Sequence, residues 1–207
     1  MDLIRSAFLS NLAWIEHQFG SREGPASEDG MASVKQVHSA RCLVAPAAGC
    51  AGEGDALVTR EPGLAVSVRT ADCFPILLAD REHRAVAAVH AGWRGTADEI
   101  VCRAVDTMRA AFDTSPREIV AAIGPGIGAC CYHVGEEVAR RFGLDHAGRI
   151  DLAEANRAQL AAAGVPASQI DTLGFCTYCD RARFHSYRRD QEQAGRMISY
   201  IRIVAQD

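Results

Sequence analysis

A chain of 207 residues, 48% hydrophobic and 23% charged, has the composition of a soluble globule and the length of a single domain, expected to span residues 1–207. Its net charge of −4 argues against the broad cationic surface that nucleic acid requires, while leaving room for a local arginine cluster that holds a small anion. Apolar runs are only a few residues long, too short to cross a bilayer, and the opening MDLIRSAFLSNLAWIEH carries Arg5 and Glu16 but no signal-peptide core, so a cytoplasmic location is expected.

Residues 20–32 (GSREGPASEDGMA) are polar and rich in Gly, Ser and Pro, the composition of a mobile loop, and residues 46–54 (PAAGCAGEG) read the same way. Between them ASVKQVHSARCLVA alternates like a strand or hairpin, with His38 near its turn. DALVT, LAVSVRT, FPILLAD and RAVAAVHAGWRG then predict short strands, several without clean alternation, as in a sheet covered on both faces. Ile100, Val101, Val105, Met108 and Phe112 recur at helical spacing and predict one helix over 96–112, with Thr96 as its N-cap and Pro116 beyond its end. EIVAAIG predicts a strand that enters the Gly-rich turn GPGIGACC. Helices are expected near 135–143 and 151–163, the second capped by Asp151 with Glu154 three residues on. A strand near 170–174, a loop containing CTYCD, the basic stretch SYRRD and a closing strand MISYIRIV complete the chain. Strands outnumber helices and mix with them, which gives the class α/β (α+β).

Eight cysteines in a chain with no visible export signal are expected to be reduced thiols. Cys42, Cys50 and Cys102 read as packing residues. Cys176 and Cys179 form a lone CxxC, half of a zinc-ribbon pattern with no second pair, and the adjacent Cys130 and Cys131 read as poorly placed to chelate one ion together. A structural or packing role is expected for them, with a redox pair as the other reading. The GPGIG turn can present backbone N–H groups to an anion.

His38, Cys73 and His90 fall at the ends of predicted strands, where a sheet can bring them together. Two imidazoles and a thiolate suit zinc, and three protein ligands leave one position open for chemistry. The competing reading is that they are satisfied core groups. Asp72 is placed to orient a ligand or nucleophile from beside Cys73. Gly92 and Gly95 flank Trp93 and Arg94, a turn where an indole can cover a base and a guanidinium can bind a phosphate; alternatively Trp93 is core and Arg94 a surface ion pair.

KQVHSA, DALVT, TADCFPILLAD, AAVHAGWRG, IGPGIGACCYHVGEEV and SYRRD, in that order over roughly residues 33–203, resemble the YfiH / laccase-domain family, which is described as polyphenol oxidase, purine nucleoside phosphorylase and peptidoglycan editing factor. The resemblance implies a layered α/β/β/α sandwich with mixed sheets, shared with some bacterial toxin cysteine hydrolases. It also implies zinc on His38, Cys73 and His90. Three departures stand out: the region before residue 33 is short, CYHVG puts His133 where Glu is common, and FHSYRRDQ carries His185 and Gln191 in place of the usual residues.

Multicopper oxidases build a trinuclear cluster from paired His-x-His motifs. The 7 histidines here, at 17, 38, 83, 90, 133, 146 and 185, include no such pair, so redox-silent zinc is the expected metal, with copper a less favoured occupant. What the resemblance implies is zinc-dependent phosphorolysis of adenosine, inosine, guanosine and methylthioadenosine, with adenosine deamination beside it. Cys73, Asp72 and Arg94 are the expected catalytic residues. Gln36, Trp93, His133, Arg188 and Arg189 are expected to bind substrate, the arginines capturing phosphate. An amidase that edits a muramyl nucleotide, through a Cys73 nucleophile with His90 as base or through zinc-activated water, is the alternative; laccase-like oxidation with copper and a non-enzymatic metal-binding interaction module are further readings. The expected partners are a purine nucleoside and phosphate, with no nucleic acid and no membrane, in a monomer or weak homo-oligomer.

Overall fold

The computed structural model describes residues 3–205. In chain order its elements are α1 (Ala7–Ser10), β1 (Ile15–Gln18), β2 (Ala32–Lys35), β3 (Cys42–Val44), β4 (Gly49–Glu53), β5 (Ala56–Thr59), β6 (Ala65–Thr70), β7 (Phe74–Asp80), β8 (Val86–Ala91), α2 (Trp93–Ala97), α3 (Ile100–Phe112), β9 (Ile119–Ile123), β10 (His133–Val134), α4 (Glu136–Arg140), β11 (Gly148–Arg149), α5 (Leu152–Ala162), β12 (Ile170–Thr172), α6 (Tyr187–Asp190) and β13 (Met197–Ile203). Two mixed sheets pack face to face. One has the order β1-β13-β6-β2-β4, the other β12-β9-β7-β8-β5-β3.

The six-stranded sheet is buried on both faces, which is why its strands read as nearly continuous apolar runs. Along β7, Phe74, Ile76 and Leu78 point to one core, against Val101, Val105 and Met108 of α3. Leu77 and Ala79 point to the other, against Val66 and Val68 of β6 and Ile201 of β13. The five-stranded sheet carries most of its apolar residues on its inner face. Its outer face carries Ser67, Arg69, Tyr200 and Arg202, and the 20–32 segment lies over it: Glu28 accepts from the Ser67 hydroxyl (2.8 Å) and pairs with Arg69 (3.3 Å). Here mixed sheets and helices form the layered α/β fold expected from the sequence.

Strand direction decides where the chemistry collects. β7 runs antiparallel to β8 and to β9, β5 antiparallel to β8, and β12 and β3 parallel to β9 and β5. The starts of β3, β5 and β7 and the ends of β8, β9 and β12 therefore share one end of the sheet. The chain also passes between the sheets four times at that end: from β2 to β3 through His38, from β4 to β5 through Asp55, from β6 to β7 through Asp72 and Cys73, and from β12 to β13.

Three sequence expectations need correction. ASVKQVHSARCLVA is not a hairpin, because β2 and β3 belong to different sheets. Residues 49–53 of the expected 46–54 loop form β4, an exposed edge strand parallel to β2, held by backbone pairing that apolar alternation cannot reveal. The helix over 96–112 is two helices: Glu99 adopts left-handed φ 61°, so α3 starts at Ile100 and Thr96 lies inside α2, its hydroxyl accepting from Asn156 (2.9 Å) instead of capping. The Asp151 cap holds, accepting from the Glu154 N–H at 2.9 Å. Helices α1 and α6 and strand β1, at most four residues each, carried no periodic signal long enough to read.

Candidate metal and substrate site

A buried carboxylate organises the site. Asp55, fully buried at the start of β5, accepts backbone N–H bonds from Val37 (3.3 Å), His38 (3.0 Å) and Ser39 (2.6 Å), and a further bond from the Ser39 hydroxyl (2.8 Å). It also meets His90 Nδ1 at 2.9 Å. One side chain thus shapes the loop that holds His38, where φ is 58°, and sets the ring of His90, leaving His90 Nε2 to face the other donors. Burial pushes the Asp55 carboxyl up, but the bonds from His90 and Ser39 outweigh it and hold the group at about 2.

The donor atoms of His38, Cys73 and His90 lie within 4.8 Å of one another. The two imidazoles meet edge to face with centroids 4.9 Å apart. Burial raises the Cys73 thiol, yet the charge on His90 and bonds from both histidines bring it down to about 6. Burial lowers His90, and the Cys73 thiolate and Asp55 raise it to about 9. A thiolate and two imidazoles form a donor set of the zinc class. The backbone is fitted to them: a Cβ on Gly92 would lie 2.9 Å from Cys73 Sγ and 3.3 Å from a His38 ring carbon, so only glycine lets the chain pass there.

These donors open into a cleft of ≈ 830 Å³. Arg94, Arg188 and Arg196 line it, stacked on Trp93 (4.3 Å), Tyr132 (5.3 Å) and Tyr187 (5.9 Å), with no carboxylate partner among the described residues. Cationic groups on aromatic faces at the mouth suit an anionic or phosphate-bearing ligand with a flat ring.

Asp72 lines the cleft but bonds to neither imidazole. Its carboxylate accepts from the Thr177 hydroxyl and from the Arg188 backbone N–H, both at 2.6 Å, in a turn held at φ 84°. The carboxylate that orients His90 is Asp55, which sequence reasoning missed; the signal was a lone Asp opening an otherwise apolar strand, where a buried charge must find donors. Gln36 lines the cleft while its amide bonds the Arg69 backbone at both ends (2.8 Å each). Arg189 does not line the cleft: its guanidinium is consumed by the carbonyls of Thr177, Tyr178 and Phe184 and by Asp190. The side chain of His133 is exposed on β10 outside the cleft lining, and only its carbonyl contributes, accepting from Arg188 (2.9 Å).

Two packed mixed sheets with a His₂Cys cluster at the floor of an arginine-lined cleft define a mixed α/β protein with a donor set of the metal-binding class. Residues 8–204 match the family described as multi-copper polyphenol oxidoreductase laccase, and the chain belongs to that family. It is 44% identical over 163 residues to a purine nucleoside phosphorylase of Bacteroides thetaiotaomicron, covering 72% of this chain and 60% of that one. It is 42% identical over 161 residues to the adenosine deaminase RL5 of an unknown prokaryotic organism, covering 71% and 61%. The chain thus spans about three fifths of these curated relatives. The crystal structure of YlmD from Geobacillus stearothermophilus superposes with a TM-score of 0.84 at 28% identity, covering 94% of this chain and 93% of that one.

Proposed function

We propose that this chain is a zinc-dependent purine nucleoside phosphorylase that also deaminates adenosine, acting on adenosine, inosine, guanosine and methylthioadenosine in the cytoplasm. The single observation that carries the reading is the convergence of His38, Cys73 and His90 within 4.8 Å at the floor of the arginine-lined cleft. The activities for which the relatives are named point the same way, and eight free cysteines suit a reducing compartment.

Zinc held by those three residues supplies Lewis-acid polarisation next to the substrate. The chain does the positioning. Arg94 and Arg188 hold the phosphate, and Trp93, Tyr132 and Tyr187 offer flat faces to the purine. Asp72 anchors the Arg188 backbone, which keeps that guanidinium over the cleft. In phosphorolysis a phosphate oxygen bonds to C1′ of the ribose as the C1′–N9 bond breaks and the purine leaves. The test is inosine cleavage in phosphate by the purified protein, with metal measured alongside: hypoxanthine and ribose 1-phosphate form with wild type and not with Cys73→Ala, and a metal-free Cys73→Ala protein with undiminished turnover would overturn the assignment.

One observation favours a second reading. Without metal, Cys73, His90 and Asp55 form a thiolate, an imidazolium and a buried carboxylate in series, an arrangement that suits nucleophilic amide cleavage of a muramyl nucleotide. Release of a free amino acid from that substrate by chelator-treated protein, faster than hypoxanthine from inosine by the zinc form, selects this reading. Copper fits the donor set less well, because a multicopper centre needs many more imidazoles than the two that converge here.

A further inference from the structure

The cysteines that sequence reasoning left in two unrelated pairs come together in space. β9 and β12 are parallel neighbours, so the turns that follow them leave the same end of the sheet. Pairing continues beyond the strands: Gly126 bridges to Cys176, and the Thr177 N–H donates to the Gly126 carbonyl at 2.9 Å. This seats Cys130 and Cys131 of the GACC turn against Cys176 and Cys179 of the CTYC turn. All four sulfurs lie within 4.8 Å of one another, with Cys131 and Cys179 at 3.3 Å and Cys130 and Cys179 at 3.8 Å. A tetrahedral zinc with Zn–S bonds of about 2.3 Å sets its sulfurs about 3.8 Å apart. The Gly128 N–H donates to Cys176 Sγ at 3.3 Å, a bond that supports a thiolate from the backbone.

We propose that Cys130, Cys131, Cys176 and Cys179 hold a second, structural zinc ion. Four thiolates fill the tetrahedron and leave no open position, so this ion takes no part in the reaction. Loading it replaces four thiol protons, which pass to solvent. Packing thiols elsewhere in the chain behave differently: Cys42 and Cys102 lie singly against the main core, and Cys50 is alone on the exposed edge strand β4.

The ion would clamp the turn at residues 126–131 to the turn at 176–179, and the second turn supports the cleft. Its Thr177 hydroxyl bonds Asp72 (2.6 Å), and its Thr177 and Tyr178 carbonyls accept from Arg189 (2.9 and 3.0 Å). The second zinc therefore holds the wall to which the Arg188 backbone is attached.

The test is metal content per chain by elemental analysis of protein purified under reducing conditions. The Cys176→Ser/Cys179→Ser protein is expected to carry one zinc fewer per chain than wild type, whatever the occupancy of the His38, Cys73 and His90 cluster. Cobalt exchanged into the Cys73→Ala protein is expected to give the intense charge-transfer absorption of a tetrathiolate site, a readout that does not require the double variant to fold. Equal zinc in wild type and double variant overturns the proposal, as does cobalt-treated Cys73→Ala protein without thiolate absorption. Disulfides among these four cysteines in freshly purified metal-free protein overturn it equally. None of these outcomes depends on which substrate the cleft accepts.

Discussion

Two clusters of metal-capable side chains sit at the same end of the six-stranded sheet and are built in opposite ways. His38, Cys73 and His90 come from separate connections and a strand end, are oriented by the buried Asp55, and offer three donors beneath a cleft. Cys130, Cys131, Cys176 and Cys179 come from two neighbouring turns, are supported by a backbone N–H, and offer four identical donors. A mixed, incomplete set backed by a carboxylate suits reaction, and a complete sulfur set suits cross-linking.

The contrast breaks first at Cys73. Cys73→Ala is expected to lower the proposed phosphorolysis of inosine by about 10³-fold or more, since it removes a donor and a charge from the cluster proposed to react. Cys176→Ser/Cys179→Ser is expected to act mainly through KM. Equal losses of kcat in the two proteins would erase the distinction between a reacting and a supporting cluster.

Asp55→Asn sharpens it. An amide cannot accept from three backbone N–H groups and His90 together, so zinc affinity at the mixed cluster should fall roughly 10- to 100-fold while the tetrathiolate retains its ion. A competitive chelator titration separates the two. Gly92→Ala should weaken the same cluster by roughly 10-fold, because the new methyl carbon would press on Cys73 Sγ and either the sulfur or the chain must move. Unchanged zinc affinity in this variant would mean that the backbone yields there. If the proposed phosphorolysis holds, Arg188→Ala should raise KM for phosphate by about 10-fold with a smaller change in kcat, the signature of a group proposed to bind phosphate before and during transfer.

A pair of buried histidines gives the last comparison. His90 bonds a carboxylate and is raised, whereas His17, 3% exposed, accepts the Ser6 N–H on Nε2 and bonds no carboxylate among the described residues. Burial and the nearby Arg5 outweigh Ser6 and the Glu16 carboxylate and lower His17 to about 4 from its ordinary 6.5. The folded state therefore favours the neutral ring. Its contribution is complete above pH 6.5 and is lost as pH falls from 6.5 toward 4, to a total of about 3 kcal/mol. His17→Gln, which can accept the same N–H without titrating, should flatten the decline of stability across that window in urea melts at stepped pH. A wild-type slope there matched by the variant would locate the acid sensitivity elsewhere.

Apolar runs without alternation announced a sheet covered on both faces, helical spacing found the core face of α3, and Asp151 with Glu154 marked the start of α5, all from local physics that neighbouring residues decide. The cluster residues His38, Cys73 and His90 stood out by donor type and motif context. Asp55 did not, because its partners are backbone groups of residues 37–39, joined to it by a turn that propensity does not describe. Arg188 and Arg189 are adjacent and chemically equal in sequence, and only the packed loop assigns one to the cleft and the other to backbone carbonyls.

By itself the order of residues determined which segments bury apolar surface and which side chains can carry metal chemistry, since hydrophobic period and donor type are properties of short stretches. Tertiary structure decided which of those side chains meet. The parallel pairing of β9 with β12 joins cysteines 45 or more positions apart, and the passages from β2 to β3 and from β6 to β7 bring His38 and Cys73 to His90. Strand direction and sheet membership are set by long-range pairing, and no local window of the chain contains them.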